Sequence, residues 1–87
     1  MTLKYQFVKR NIADDFFLVP IGEAAAKFNG IIMLNEISSY IFDLLSDCEN
    51  ADEITAKLIE KYDVEYEKAK ADVDIFLNQL RENEIID

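Results

Sequence analysis

The sequence has no histidine, no tryptophan, one cysteine and one proline. Cys48 therefore has no partner for an internal disulfide, and metal sites built from cysteine and histidine are excluded together with histidine-activated nucleophiles. With only two glycines, six phenylalanines and 51% hydrophobic residues, the composition is that of a globular rather than a disordered chain. Little of the usual catalytic machinery remains, so we expect no enzymatic activity and no bound cofactor or metal.

Long hydrophobic runs are also missing. No apolar stretch approaches the roughly 18 residues of a membrane span, and the first ten residues, MTLKYQFVKR, lack the apolar core of a signal peptide. We therefore expect a cytoplasmic protein without a membrane partner. The 87 residues fit a single domain spanning 1–87.

Acidic side chains dominate, and they are distributed unevenly. The net charge is −9, but residues 1–35 carry four basic and three acidic side chains, a balance of +1. Residues 36–87 carry five basic and fifteen acidic side chains, a balance of −10. Because nucleic-acid affinity depends largely on neutralising phosphates, this acidic half argues against a nucleic-acid partner.

The first third of the chain predicts three short strands. Apolar and polar residues alternate over residues 3–9, an apolar strand follows over residues 15–20, and residues 11–14 predict the hairpin turn between them. The linker 22–29 has room for one helical turn, which would not be stable alone. Residues 30–34, GIIML, predict the third strand. Its four apolar residues do not alternate, so both strand faces are apolar and the second face needs a cover.

Three amphipathic helices are predicted in the remaining sequence. Asn35 is a plausible N-cap for a helix over residues 36–47, and Asn50 with Glu53 is close to a capping box that starts a second helix. A third helix is predicted over residues 66–83, and the tail 84–87 either forms a short extended end or packs Ile85. The predicted fold class is α+β, a winged helix-turn-helix with three N-terminal strands followed by a three-helix bundle.

Three sequence blocks resemble the PqqD family of peptide-recognition domains: LNEISSYIFDLL (34–45), ADEITAKLIEKYDV (51–64) and AKADVDIFLNQLRENEII (69–86). The resemblance covers roughly residues 15–87. One departure is that Ser38 and Ser39 stand where family members often have a glycine-containing turn.

The resemblance implies a function as well as a winged helix-turn-helix fold. Members bind the leader of a ribosomally made precursor peptide as an added strand, in the cleft between the third strand and the third helix. They deliver it to a modifying enzyme, which in the founding pathway is a radical S-adenosylmethionine protein that helps to make pyrroloquinoline quinone. The resemblance therefore implies two partners, a precursor leader peptide and a modifying enzyme such as a radical S-adenosylmethionine maturase.

The candidate site combines the third strand with one shoulder of the third helix, that is, the row of residues along one side of its apolar stripe. Residues 31–34 either form a sheet edge that pairs with an extended peptide or a central strand covered by the protein's own helices. On the helix, Leu77 offers apolar contact, and Lys70 and Arg81 would attract an acidic leader. An equal alternative is that these residues simply border the apolar stripe, with their charges in solvent and no ligand. Ile75 lies near Lys68 and Gln79 on the opposite shoulder of the helix, so that shoulder remains an alternative for the binding site. The predicted peptide-binding residues are Ile31, Ile32, Met33, Leu34, Lys70, Val73, Asp74, Leu77 and Arg81.

Two alternative functions fit the same pattern. The apolar strand edge could pair with itself, which would make the protein an assembly module, so we expect a monomer or a weak homodimer. A winged-helix DNA-binding regulator is the other alternative, and its third helix would then enter DNA. Cys48 is expected to be unreactive, because its acidic surroundings raise the pKa of a thiol.

Overall fold

The computed structural model describes residues 1–28 and 30–87. Three antiparallel strands lie in the N-terminal part of the chain and the long helices follow, so the fold is α+β as predicted. The elements in chain order are β1 (Phe7–Ile12), β2 (Asp15–Pro20), α1 (Glu23–Lys27), β3 (Ile32–Leu34), α2 (Glu36–Leu44), α3 (Ala51–Lys61) and α4 (Tyr66–Glu82).

Strands β1 and β2 form a hairpin in which Phe7 lies opposite Pro20 and Ile12 lies opposite Asp15. The predicted bounds of the first strand, residues 3–9, are wrong because the strand runs from Phe7 to Ile12. Alternation identifies the two faces of a strand but not the point at which pairing begins. The tight turn decides that point, and Ala13 within it adopts a left-handed φ of 56°.

Helix α1 occupies the linker in which one helical turn was predicted. It is only five residues long, so it depends on packing rather than on its own propensity. Ala24 is fully buried, and the Phe28 ring packs against the rings of Tyr5 and Phe7 at centroid distances of 5.3 and 5.5 Å. Asn29, the last residue of that linker, lies outside the described residues. Gly30 has a φ of 92°, a conformation that favours glycine, and β3 begins two residues later at Ile32 rather than at residue 30 as predicted.

The predicted caps of the next two helices are confirmed. The Asn35 Oδ1 accepts a hydrogen bond from the Ser38 backbone N–H at 2.8 Å, and the Ser38 Oγ accepts one from the Asn35 backbone N–H at 3.0 Å. At α3, the Asn50 Oδ1 accepts from the Glu53 backbone N–H at 2.9 Å. Because Asn35 directly follows β3, its cap sets the angle between the strand and α2. Helix α2 ends at Leu44, earlier than predicted, and α4 ends at Glu82.

The inner face of the sheet packs on the helices. Leu18 and Leu34 point into the core, and Lys9 on the same face donates hydrogen bonds to the Ser39 hydroxyl at 2.9 Å and the Asp43 carboxylate at 2.6 Å. Those two bonds fix β1 against α2. The core is completed by residues of α2, of the connection that follows it, of α3 and α4 and of the C-terminal tail: Ile41, Leu44, Leu45, Cys48, Ile54, Leu58, Ala69, Val73, Phe76, Leu77, Leu80, Ile85 and Ile86.

The tail joins the N-terminal segment. Leu3 and Ile86 form an isolated antiparallel bridge, and the Lys4 backbone N–H donates to the Ile85 carbonyl at 2.8 Å. Ile85 and Ile86 are both buried. Of the two alternatives for residues 84–87, the packed Ile85 is the one found, and the extended end is limited to the single bridge at Ile86.

Candidate functional site

Strand β3 lies at one edge of the sheet. The strand order is β1-β2-β3, and β3 pairs only with β2 within residues 1–28 and 30–87, with Leu34 opposite Phe16 and Ile32 opposite Leu18. Backbone N–H and C=O groups along the other side of β3 have no strand partner there. Of the two predicted alternatives for this segment, the sheet edge is the one found. Such an edge is a ready template for another extended chain.

The side chains of β3 divide between the two faces. Leu34 is buried and Ile32 is partly buried on the inner face, whereas Met33 points to the other face and is 66% exposed. Ile31 precedes the strand and is 56% exposed. The non-alternating sequence therefore does place apolar side chains on both faces, and within the described part of the chain the second face is left in contact with solvent.

A groove of about 510 Å³ runs beside β3 and is closed on its far side by α4. This volume lies within the roughly 300–1,000 Å³ of ordinary ligand pockets. Its floor is apolar and is made by Ile32, Leu34, Ile37, Ile41, Leu58, Val64 and Phe76. Its rim is mixed and is made by Met33, Asn35, Ser38, Lys68, Asp72, Ile75 and Gln79.

The α4 side chains on the groove belong to the shoulder around Ile75. Lys68, Asp72, Ile75 and Gln79 recur at intervals of three and four residues, which places them on one side of the helix. Ile75 is 59% exposed and presents an apolar side chain to solvent on an otherwise polar side of the helix. The sequence places that isoleucine at helical spacing from Lys68 and Gln79, but a single exposed isoleucine is common and does not by itself identify this shoulder.

The five α4 residues of the predicted site lie elsewhere, and none of them lines the groove. Val73 and Leu77 are buried in the core. Lys70 donates to the Asp74 carboxylate at 2.9 Å, and the Arg81 Nε donates to the Asp87 backbone carbonyl at 3.2 Å. The apolar stripe of α4, with Val73 and Leu77, packs into the core that also contains Leu34, and the groove opens on the other flank of the helix.

Charges at the groove nearly balance. Lys68 and Asp72 are the charged residues of its lining, and their Nζ and Oδ2 atoms are 3.7 Å apart on the solvent side. An exposed pair at this distance contributes little to stability, so both groups are available to a ligand at small cost. Away from the groove, the hydrogen bond to Asp74 raises the pKa of the Lys70 ammonium, with Asp52 of α3 adding to the effect.

Cys48 offers no accessible nucleophile. The thiol is buried, and this burial, followed by the charge of Glu53, raises its pKa. Among the described residues, no cluster of three or more potential metal ligands occurs. Nor does any described helix have the length and apolarity to cross a membrane.

A second hollow, of about 600 Å³, lies at the N-terminal segment. Residues 3–7 line one side of it, and Ile21 and Glu23 line the other. It is larger than the groove beside β3, but β1, the other edge strand of the sheet, contributes only its first residue, Phe7, to the lining, whereas all three residues of β3 line the groove. The groove is therefore the better candidate for binding an extended chain.

These features define a class of protein: a small α+β fold whose N-terminal three-stranded sheet presents an edge strand beside a helix-lined groove. The chain belongs to the PqqD family, described as coenzyme PQQ synthesis protein D, whose model matches residues 17–86. The predicted family is thus confirmed.

A solved structure supports the same fold. It is described as TbiB1 in complex with the TbiA(beta) leader peptide, and it superposes with a TM-score of 0.72 at 22% sequence identity. The match covers 98% of this chain and 93% of that chain. No curated protein matches this chain.

Proposed function

We propose that this protein is a non-catalytic recognition module that binds the leader of a ribosomally made precursor peptide and presents it to a separate modifying enzyme. The leader adds to the sheet as a fourth strand along β3. The enzyme is a maturase such as a radical S-adenosylmethionine protein, and the complex forms in the cytoplasm, where the precursor is synthesised. The unpaired edge of β3 beside the groove is the observation that carries this proposal.

Backbone pairing supplies the general affinity in this scheme. An extended peptide beside β3 satisfies backbone groups that otherwise bond to water, and the hydrogen bonds do not depend on the peptide's sequence. The strand is only three residues long, so pairing alone gives few bonds. Side-chain contacts must therefore provide much of the affinity and all of the specificity.

The groove provides those contacts. In an added strand, every second side chain points toward the inner face, where it meets the apolar floor beneath Ile75. Apolar leader residues spaced two apart fit this floor. Lys68, Asp72 and Gln79 then offer polar contacts along the rim.

The family membership and the leader complex of the similar structure support the same proposal. We further propose that α3 and α4 act as the helix-turn-helix unit and the β1–β2 hairpin as its wing. Helix α4 carries four acidic and three basic residues in a chain of net charge −9. That charge favours a peptide over DNA as the ligand.

A periodic N-methyl scan of the leader tests the strand-addition mode. A synthetic leader of the precursor encoded beside the gene is N-methylated at one backbone position at a time. Because successive residues of a strand direct their N–H groups to opposite sides, methylation at alternate positions should abolish binding while the intervening positions tolerate it. Uniform tolerance across the scan would contradict the proposal.

Amide chemical shifts locate the site in the same titration. Binding should perturb residues 31–34 together with Lys68, Ile75 and Gln79, and it should leave Glu60, an exposed residue of α3, unchanged. A Met33→Asp variant should bind more weakly than Glu60→Ala, since both side chains are exposed but only Met33 lies at the groove. Perturbation confined to other surfaces would exclude this site.

The same strand edge could instead pair with a second copy of the chain. Sedimentation at micromolar concentration separates the two functions, because a peptide-binding edge is available in a monomer. A stable dimer that the leader peptide does not dissociate would support the assembly function.

A further inference from the structure

The outer face of the sheet carries an apolar patch, which we call the outer sheet face. In the observed register Val8 lies opposite Val19, and Arg10, Phe17 and Met33 form one row across the three strands. Directly opposed residues point to the same side of a sheet. The outer sheet face comprises Val8, Arg10, Ile12, Phe17, Val19 and Met33, with Asp15 at its hairpin end.

The helices that contact the sheet lie on its other side. Lys9 bonds to α2, and Phe7 packs on Phe28 beyond α1, and both belong to the inner face. On the outer sheet face, Ile12 is 65% exposed and Met33 is 66% exposed. Antiparallel sheets with one solvated face usually carry polar residues there. Five of the six members of this patch are apolar, which is typical of an interaction surface.

The patch is continuous with the proposed leader strand. Alternation along an added strand sends one set of side chains into the groove and the other set to the outer side, next to Met33. The row of Arg10, Phe17 and Met33 would thus gain a fourth member supplied by the leader. A protein that contacts this face would touch both the module and its bound peptide.

Charge distinguishes the possible occupants. Arg10 and Asp15 balance on this face, so nearly all of the net charge of −9 lies elsewhere on the chain. A second copy would bring two strongly acidic molecules together, which self-repulsion opposes. A different protein with an apolar patch, and with charged groups that complement Arg10 and Asp15, fits this nearly neutral face.

We propose that the outer sheet face, extended by the outward side chains of the bound leader, is the docking surface for the modifying enzyme. This inference rests on the proposed function. It predicts positive coupling, in which the enzyme binds the leader-loaded module more tightly than the empty one, and the leader in turn binds more tightly to the enzyme-bound module.

The experiment measures two affinities for each variant: that of the synthetic leader and that of the purified modifying enzyme encoded in the same gene cluster. Phe17→Ser removes the centre of the patch, and Arg10→Glu changes an exposed side chain with little risk to folding. Tyr66→Ser is the control, because Tyr66 is an exposed aromatic on the opposite side of α4 from Ile75.

For the wild type, saturating leader should tighten enzyme binding at least fivefold. Phe17→Ser and Arg10→Glu should each weaken enzyme binding at least tenfold while leader affinity changes less than twofold, which also verifies their folding. Tyr66→Ser should change neither affinity.

Three results separate the possible failures. If the wild type binds no leader, the proposed function itself fails. If it binds leader but both outer-face variants recruit the enzyme normally, or if leader leaves enzyme affinity unchanged, the docking proposal is overturned. If the wild type sediments as a dimer that Arg10→Glu converts to a monomer, the face belongs to a second copy, and the proposal is overturned as well.

Discussion

Replacing Ile75 by alanine should weaken leader binding about fivefold. The Ile75 side chain lines the groove and is 59% exposed without a ligand. Complete burial of an isoleucine side chain contributes about 1.5–3 kcal/mol, so covering the exposed part contributes about 1–2 kcal/mol. Alanine keeps the Cβ, which leaves a loss of about 1 kcal/mol, or about fivefold in Kd.

The same substitution should not destabilise the fold. Because most of the side chain is in solvent, the free energy of unfolding should change by no more than about 0.5 kcal/mol. Alanine is also the better helix former, so any change should favour the folded state. Titration calorimetry with the synthetic leader measures Kd, and urea denaturation measures the free energy of unfolding.

Tyr66→Ala is the matched control for this prediction. Tyr66 lies on the same helix and is 54% exposed, but it precedes Ile75 by nine positions and therefore faces the opposite side at about 100° per residue. Its removal should leave Kd unchanged. If Ile75→Ala binds the leader as tightly as the wild type, or if Tyr66→Ala weakens binding equally, the assignment of the groove to leader recognition is refuted.

Three further predictions concern stability and reactivity. Leu77→Ala should lower the free energy of unfolding, measured by urea denaturation, by about 2–5 kcal/mol because Leu77 is buried. If the variant is as stable as the wild type but binds the leader more weakly, Leu77 lies in the binding site instead. Asn35→Ala should cost about 1 kcal/mol and lower Tm by about 4–8 °C through loss of the cap, and an unchanged Tm would contradict that role. Burial raises the pKa of Cys48, so its thiol should react slowly with a disulfide reagent at pH 8 and rapidly in urea. Equal thiol reactivity in the folded and unfolded states would refute this burial. The unfolded chain also loses the thiol proton at a lower pH than the folded chain, so the free energy of unfolding should fall as pH rises through the ordinary thiol pKa.

Helix starts were predictable because their signals are local. Asn35 and Asn50 each cap a helix through a backbone N–H three residues ahead, and such a bond depends on little beyond the sequence around it. The apolar stripe of α4 was equally readable, and Val73 and Leu77 are indeed among its buried members. A stripe shows which side of a helix is covered by the core.

The predicted bounds of the second strand, residues 15–20, agree with β2, but those of the first strand and the groove-facing side of α4 were not predictable in this way. Alternation over residues 3–9 is compatible with several registers, and the turn at Ala13 selects the one that starts at Phe7. On α4, two polar shoulders flank one apolar stripe, and the predicted shoulder of Lys70 and Arg81 is as plausible from the sequence as that of Lys68 and Ile75. Only the position of β3 separates them.

The sequence by itself determined an acidic chain without catalytic histidine, an order of strands before helices, and a third strand that is apolar on both faces. The tertiary structure alone decided that β3 lies at the edge of the sheet and that Ile75 rather than Leu77 lines the groove beside it. Composition, caps and periodicity are properties of neighbouring residues. Strand order and the gap between a strand and a helix depend instead on how residues 16–18, 32–34 and 68–79 pack together, and these segments are distant in the chain.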